Sequence, residues 1–374
     1  MRIRAAVPFL VVAFASRLLG QEAQPHYEAP PSTEGFEFRW DALLRYDDIQ
    51  LARQAPAPNI YRWRSEVRPE LDWRASDRFR LGVRLLGELS SDSNATNDRL
   101  FDNYRSNDAA LDRAFLEARP GNFTITAGKF GMPLRATEMM WDHDVQVLGG
   151  SASWRIPLSA TASLSLAGGF FYGPQRERDD SHIAAAQVTW AFGDPDSFAI
   201  DWSESYWRFT HLQKTARHFV RQNASYTAVS PYGSGTQVGV PVYENDFRIL
   251  DSIARFRFGI AKFPVSLSLD WAHNLAATER EYRDGFEAAI RVGREGDRGD
   301  FQVFDVYQYV DRDAVVGAYN TDDWWFHSWY VGHRVGVAYT VVAGVEIRPS
   351  VVFQRRQDRS HYLNRYLFDL VKTF

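Results

Sequence analysis

The chain has 374 residues, of which 45% are apolar, 15% aromatic and 24% charged, with a formal net charge of -4. Such a content of large side chains excludes a disordered or collagen-like chain. The absence of cysteine excludes a disulfide framework, a thiolate metal site and a cysteine nucleophile. The charge offers no global basic field for nucleic acid, although Lys129, Lys214, Lys262 and Lys372 are the only lysines and arginine supplies the rest of the basic residues. Any positive potential is therefore local.

In chain order, Arg2 and Arg4 precede an apolar run from Ala5 to Ala15. This reads as an export signal over residues 1–20, cleaved after Ala15 or Gly20, and Pro8 opposes a buried helix there. Residues 21–34 are polar and proline-rich, a flexible periplasmic lead-in. From residue 35 to 374 one pattern repeats without a composition break, so a single domain is expected.

That pattern is clearest over 60–74. Tyr61, Trp63, Ser65, Val67, Leu71 and Trp73 alternate with Arg62, Arg64, Glu66, Arg68, Glu70, Asp72 and Arg74. Period two puts the charges on one face of a strand, whereas a helix would scatter them. The alternation returns over 78–90, 263–273, 284–294 and 342–355. About sixteen such segments follow one another, within a range of about fourteen to eighteen, joined alternately by short turns and long polar stretches. In segments 111–156 and 299–311 both registers are equally apolar.

Alternation alone fits a soluble sandwich or a membrane barrel. Strand length, the export signal and the aromatics near segment ends favour the barrel; these are Trp40, Tyr61, Trp63, Trp73, Trp202, Trp207, Trp271, Trp324, Trp325, Trp329 and Tyr330. The expected fold is all-β, a transmembrane antiparallel barrel closed so that no edge meets lipid. The final strand, YLFDLVKTF, ends on Phe374 and looks like the assembly signal of bacterial outer-membrane proteins, with Lys372 departing from the usual apolar residue.

Residues 111–150 carry Gly128, Lys129, Phe130, Gly131, Pro133, Trp141, Asp142, Asp144 and Gly149 in an order that resembles the bacterial outer-membrane putative porins. The resemblance implies a water-filled channel in the bacterial outer membrane for small hydrophilic, charged solutes, without cofactor or chemical step. It implies outer-membrane lipid as surroundings and the barrel assembly machinery as a partner of the Phe374 strand. Homotrimers are common among sixteen-strand porins, and the sequence leaves oligomeric state open. More distantly the chain looks like polysaccharide-export barrels, which would take an anionic polymer.

Candidate pore-lining basic residues are Arg62, Arg64, Arg68, Arg78, Arg80 and Arg84, facing Glu66, Glu70 and Asp72. Across a wet lumen they would set a transverse field; alternatively they pair and rigidify the wall. Segment 131–147 is either a loop folded into the lumen, bringing Glu138, Asp142 and Asp144 opposite the arginines, or a short rim turn. Asp142, His143 and Asp144 are adjacent and do not converge on one cation from a strand, so no metal is expected. Asp92, Asn94, Thr96 and Asp98 have calcium-loop spacing but lack the glycine and glutamate that such a loop needs, Asn97 and Asn103 standing there. For an outer-membrane enzyme the tempting pairs are Ser328 with His327 or His333, and Ser360 with His361; strand neighbours point to opposite faces, so no catalytic residue is assigned.

Overall fold

The computed structural model describes residues 34–50, 59–91, 107–176, 179–194, 197–212, 227–228, 241–243, 245–260 and 262–373. Residues 1–33, the calcium-like stretch 92–103 and Phe374 lie outside them.

Sixteen strands form the barrel: β1 (Gly35–Gln50), β2 (Ile60–Ser76), β3 (Phe79–Ser90), β4 (Asn107–Ala118), β5 (Phe123–Gly131), β6 (Gln146–Ser159), β7 (Ala162–Arg176), β8 (Asp179–Asp194), β9 (Phe198–Thr210), β10 (Phe247–Ile260), β11 (Phe263–Asn274), β12 (Asp284–Gly293), β13 (Phe301–Val310), β14 (Tyr330–Val342), β15 (Val345–Arg356) and β16 (Leu363–Thr373). A two-residue ribbon pairs Thr227–Ala228 with Pro241–Val242. Each barrel strand pairs antiparallel with its neighbour, and β1 closes on β16 from Asp41↔Thr373 to Gln50↔Asn364. Strands of 9 to 17 residues suffice to cross a tilted hydrocarbon layer, which needs about 9–11. Closure gives every strand two partners, which a bilayer requires because lipid satisfies no backbone group.

Each of the sixteen expected segments falls on one strand. The difference lies at 325–329: the sequence pattern predicts a strand over 325–340, its first residues an aromatic run. In the structure β14 begins at Tyr330, and 311–329 enters the lumen instead.

Alternation sets the two faces. Phe36, Phe38, Tyr61, Trp63, Leu71, Leu81, Trp202, Trp271 and Phe368 are exposed on the outside, while Arg62, Arg64, Glu66, Asp72 and Arg84 are buried inside. One rim carries the short turns at 77–78, 160–161 and 343–344, together with both ends of the barrel chain. The other carries the long connections 91–106, 132–145, 211–246 and 311–329. In β4 the register shifts between Arg84↔Arg113 and Leu85↔Leu111, so Asp112 is an extra residue. This bulge turns both Asp112 and Arg113 towards the lumen, where Asp112 meets Arg84 and Arg113 meets Gln146.

Candidate functional site

The lumen is filled unevenly. Towards the short-turn rim, inward side chains such as Glu37, Asp41, Arg255 and Arg348 are partly exposed. Towards the long-loop rim, Ile49, Asp251, Tyr330, Gln354 and Arg365 are almost wholly buried. Two connections from that rim cause this. Segments 132–145 and 311–329 fold inward and bury Leu134, Met139, Met140, Trp141, Val315 and Tyr319 against the walls. They hold each other: Asp142 N donates to Tyr319 O at 2.6 Å, and Thr321 N to Glu138 O at 3.1 Å. At this end much of the inner wall is therefore apolar, in contrast to the arginine-bearing face of β2 and β3.

Segment 132–145 crosses towards β8–β12. The side-chain amide of Gln187 (β8) brackets Arg135, accepting from its N–H at 2.9 Å and donating to its carbonyl at 2.8 Å. Thr137 donates to Asp270, and Met139 N to Glu287 at 3.0 Å. A Cβ at Gly285 would lie 2.9 Å from the Met139 sulfur, so a glycine there gives that side chain its seat. Trp141 stacks on Tyr319 at 4.9 Å and on Trp207 of β9 at 6.0 Å. Trp207, Trp324 and Tyr330 are thus lumen core rather than membrane girdle; Tyr61, Trp63, Trp73, Trp202 and Trp271 are exposed outside as expected.

Segment 311–329 reaches the opposite wall, made by β1–β3 with β16. Asp322 pairs with Arg64 at 2.9 Å, and Asp323 pairs with Arg45 at 2.8 Å and Arg334 at 3.0 Å. Arg365 donates to the Asp322 carbonyl. The side-chain amide of Gln354 clamps the backbone at Trp325 and Phe326, its oxygen accepting from both N–H groups at 3.0 and 2.9 Å. The segment leaves the lumen through Trp329 at φ 55, a left-handed conformation unusual for a bulky residue.

The expected arginines are placed as follows. Arg62 donates to Asp47 at 2.7 Å, and Asp47 also accepts Arg365 across the β1–β16 seam at 2.7 Å. The same seam is crossed by Arg45 and Asp369 at 2.7 Å. Arg64 contacts Glu66 at 3.0 Å, Arg68 contacts Glu66 and, at 2.6 Å, Asp144, and Arg80 binds Asp72 at 2.8 Å with Glu70 at 3.6 Å. Arg78 is the exception, since it sits exposed in the β2–β3 turn and not on the lumen wall.

Of the three expected acids, only Asp144 faces this ladder. Glu138 pairs with Arg334 and lies 3.8 Å from Arg291. Asp142 caps backbone instead, accepting from Asp144 N at 3.1 Å and Asp322 N at 3.3 Å. The sequence reading missed Asp322 and Asp323, although Asp311, Asp313, Gly317, Asn320, Asp322 and Asp323 make 311–329 a turn-rich stretch. The Arg68 guanidinium holds the Asp144 carboxyl well below the usual carboxylate range, and Asp144 with Asp142 raises His143 above the usual histidine value. The Arg45 and Arg334 guanidinia hold Asp323 down, to about 2.

Asp142, His143 and Asp144 do bring ligand atoms within 4.8 Å of one another, which the sequence reading did not expect. Arg68 already occupies one Asp144 oxygen at 2.6 Å, which disfavours a cation there. Ser360 and His361 lie in a turn, not a strand, and hydrogen-bond at 3.0 Å on the exposed rim. The alternation argument against that pair does not apply to it. Ser328 is buried, and its carbonyl accepts from Arg356.

A family model described as a putative porin matches residues 54–237. Among solved structures, the chain is similar in fold to OprB of Pseudomonas putida in its high-pH form, with TM-score 0.57, 9% identity, and 91% of this chain and 94% of that one covered. It is similarly like Salmonella typhi OmpF, solved in complex with daunomycin, with TM-score 0.53, 10% identity, and 91% and 98% covered. A comparison with curated protein sequences finds no match. The closed sixteen-strand barrel and the putative-porin match over residues 54–237 agree with the motif at 111–150, and together they support a channel barrel of the bacterial outer membrane similar to the putative porins.

Proposed function

We propose that small charged hydrophilic solutes pass along the β1–β5 side of the lumen, between the arginine wall and the edge of segment 132–145. One observation carries this reading. Arg68 and Asp144 meet at 2.6 Å from wall and segment, beside His143, whose side chain is 69% exposed, and near Asp41, 31% exposed. Opposite fixed charges across a narrow wet gap sort solutes by charge. Because each ladder arginine has an acidic partner, the gap is close to balanced, and selectivity depends on which partner is removed.

Residues 1–20 are read as the export signal and 21–34 as a periplasmic lead-in; Gly35 at the short-turn rim supports this placement. The pairing of β16 with β1 supports a role for the last strand in assembly. No chemical step is part of this function.

The test is single-channel recording in planar bilayers under a salt gradient. The wild type should conduct, Arg68→Gln should shift the reversal potential towards cation preference, and Asp144→Asn should shift it towards anion preference. A folded barrel without conductance, or two variants that shift selectivity the same way, would refute the proposed route.

A further inference from the structure

The outside of β6–β10 has a feature that diffusion through the lumen does not use. Five outward residues are consecutive pairing partners in one row across the strands: Gly150↔Phe170, Phe170↔Ala184, Ala184↔Arg208 and Arg208↔Arg248. Arg208 and Arg248 are both exposed and directly opposite. Like charges in that position repel. Among the described residues neither guanidinium has an ion-pair partner, the nearby Asp246 included. Glu204, on the same face of β9, is already engaged by Trp202 Nε1 at 2.8 Å and Ser252 Oγ at 2.6 Å, and lies four residues, roughly 13 Å, from Arg208.

The other end of the row is apolar and recessed. A groove of about 510 Å³ opens outward there, lined by Gly128, Leu148, Gly149, Gly150, Phe170 and Tyr172. Depth differs along the row. Arg208 and Arg248 are two and one residues in from the long-loop ends of β9 and β10, whereas Gly150 and Phe170 are four and six residues in from the ends of β6 and β7. The row thus joins a cationic pair near the rim to a greasy slot deeper in the membrane, with Ala184 as a low floor between. His182, stacked on Phe170 at 5.2 Å, flanks it on the rim side.

We propose that this face binds one phosphorylated membrane lipid, Arg208 and Arg248 gripping its phosphate and the groove taking an acyl chain. Two guanidinium forks converging on one phosphate relieve their mutual repulsion and supply bidentate hydrogen bonds. The membrane already presents such headgroups at this level. The proposal rests on the outer-membrane reading and on the long-loop rim facing the headgroups.

The experiment uses the full chain in detergent, accepted only if it shifts on an unheated gel and conducts in a bilayer, so that failure of the membrane reading is seen separately. Native mass spectrometry then counts bound lipid while bis-phosphorylated lipid A, the same lipid after phosphatase, or inorganic phosphate is titrated. The wild type should retain the phosphorylated lipid roughly tenfold or more tightly than its dephosphorylated form, and Arg208→Gln with Arg248→Gln should abolish that preference. Gly150→Trp, which fills the groove and leaves the arginines intact, should weaken retention of the lipid. Equal retention by the arginine variant, inorganic phosphate binding as tightly as the lipid, or a delipidated oligomer that buries this face against a second copy would each overturn the proposal.

Discussion

Two walls of one lumen obey the same alternation and reach opposite chemistries. On β1–β3 and β16 the inward positions are largely arginine and carboxylate, cross-linked in pairs and met by Asp322, Asp323 and Asp144 of the in-folded segments. On β7–β10 they include Phe171, Ile183, Trp207, Phe209, Phe247 and Ile249, which receive Trp141 and Tyr319. The first wall is held by charges that are costly to leave unpaired, the second by area removed from water. Each segment has both an apolar grip and an ionic tether.

The two walls should respond differently to truncation. Trp207→Ala empties an aromatic site and should cost about 3–5 kcal/mol, seen as a lower temperature of the heat-induced gel shift. Arg365→Met leaves Asp47 buried with one fewer partner and should cost about 3–5 kcal/mol as well, but here Asp47→Asn on top should return part of the loss. Additive losses for Arg365 and Asp47 would erase the distinction between the walls. Gly285→Val brings a side chain against Met139 and should cost about 1–3 kcal/mol, with an increase in conductance as segment 132–145 is pushed from its seat. An unchanged conductance would show that this segment does not border the route.

The smallest effect is electrostatic. His143 has its pKa raised by Asp144 and Asp142, so its cationic form persists above the pH at which an ordinary histidine titrates. As pH rises through that raised value the gap loses a positive charge, and anion preference should fall. His143→Asn should flatten that profile; an identical profile would place His143 away from the passing ions.

The contrast also explains what was legible in the sequence. Strand count and facing were readable because lipid demands an apolar residue at every second position, and the arginine wall gave that signal its clean counterpart at 60–74. The aromatic wall blurred it. Segments 111–156 and 299–311 looked apolar in both registers because Phe115, Phe130, Val147, Val306 and Val310 face a lumen filled with Leu134, Met139 and Val315. Trp324 and Tyr330 were assigned to the membrane girdle because a strand-end tryptophan has the same one-dimensional signature whichever side it faces. Asp322 and Asp323 were hidden for a related reason: their partners Arg64 and Arg45 on the early strands are more than 250 residues away in sequence, as the Arg64–Asp322 separation of 258 shows.

The seam where the first and last strands meet has a consequence for assembly. Arg45 on β1 reaches Asp369 on β16, Arg365 on β16 reaches Asp47 on β1, and both arginines also bind segment 311–329. Such a crossed clasp has no complete partner set until the cylinder is shut and the inner segment is in position. Shutting the wall and seating the plug thus become one cooperative event, and an open, half-zipped intermediate keeps its unmatched ions in contact with water.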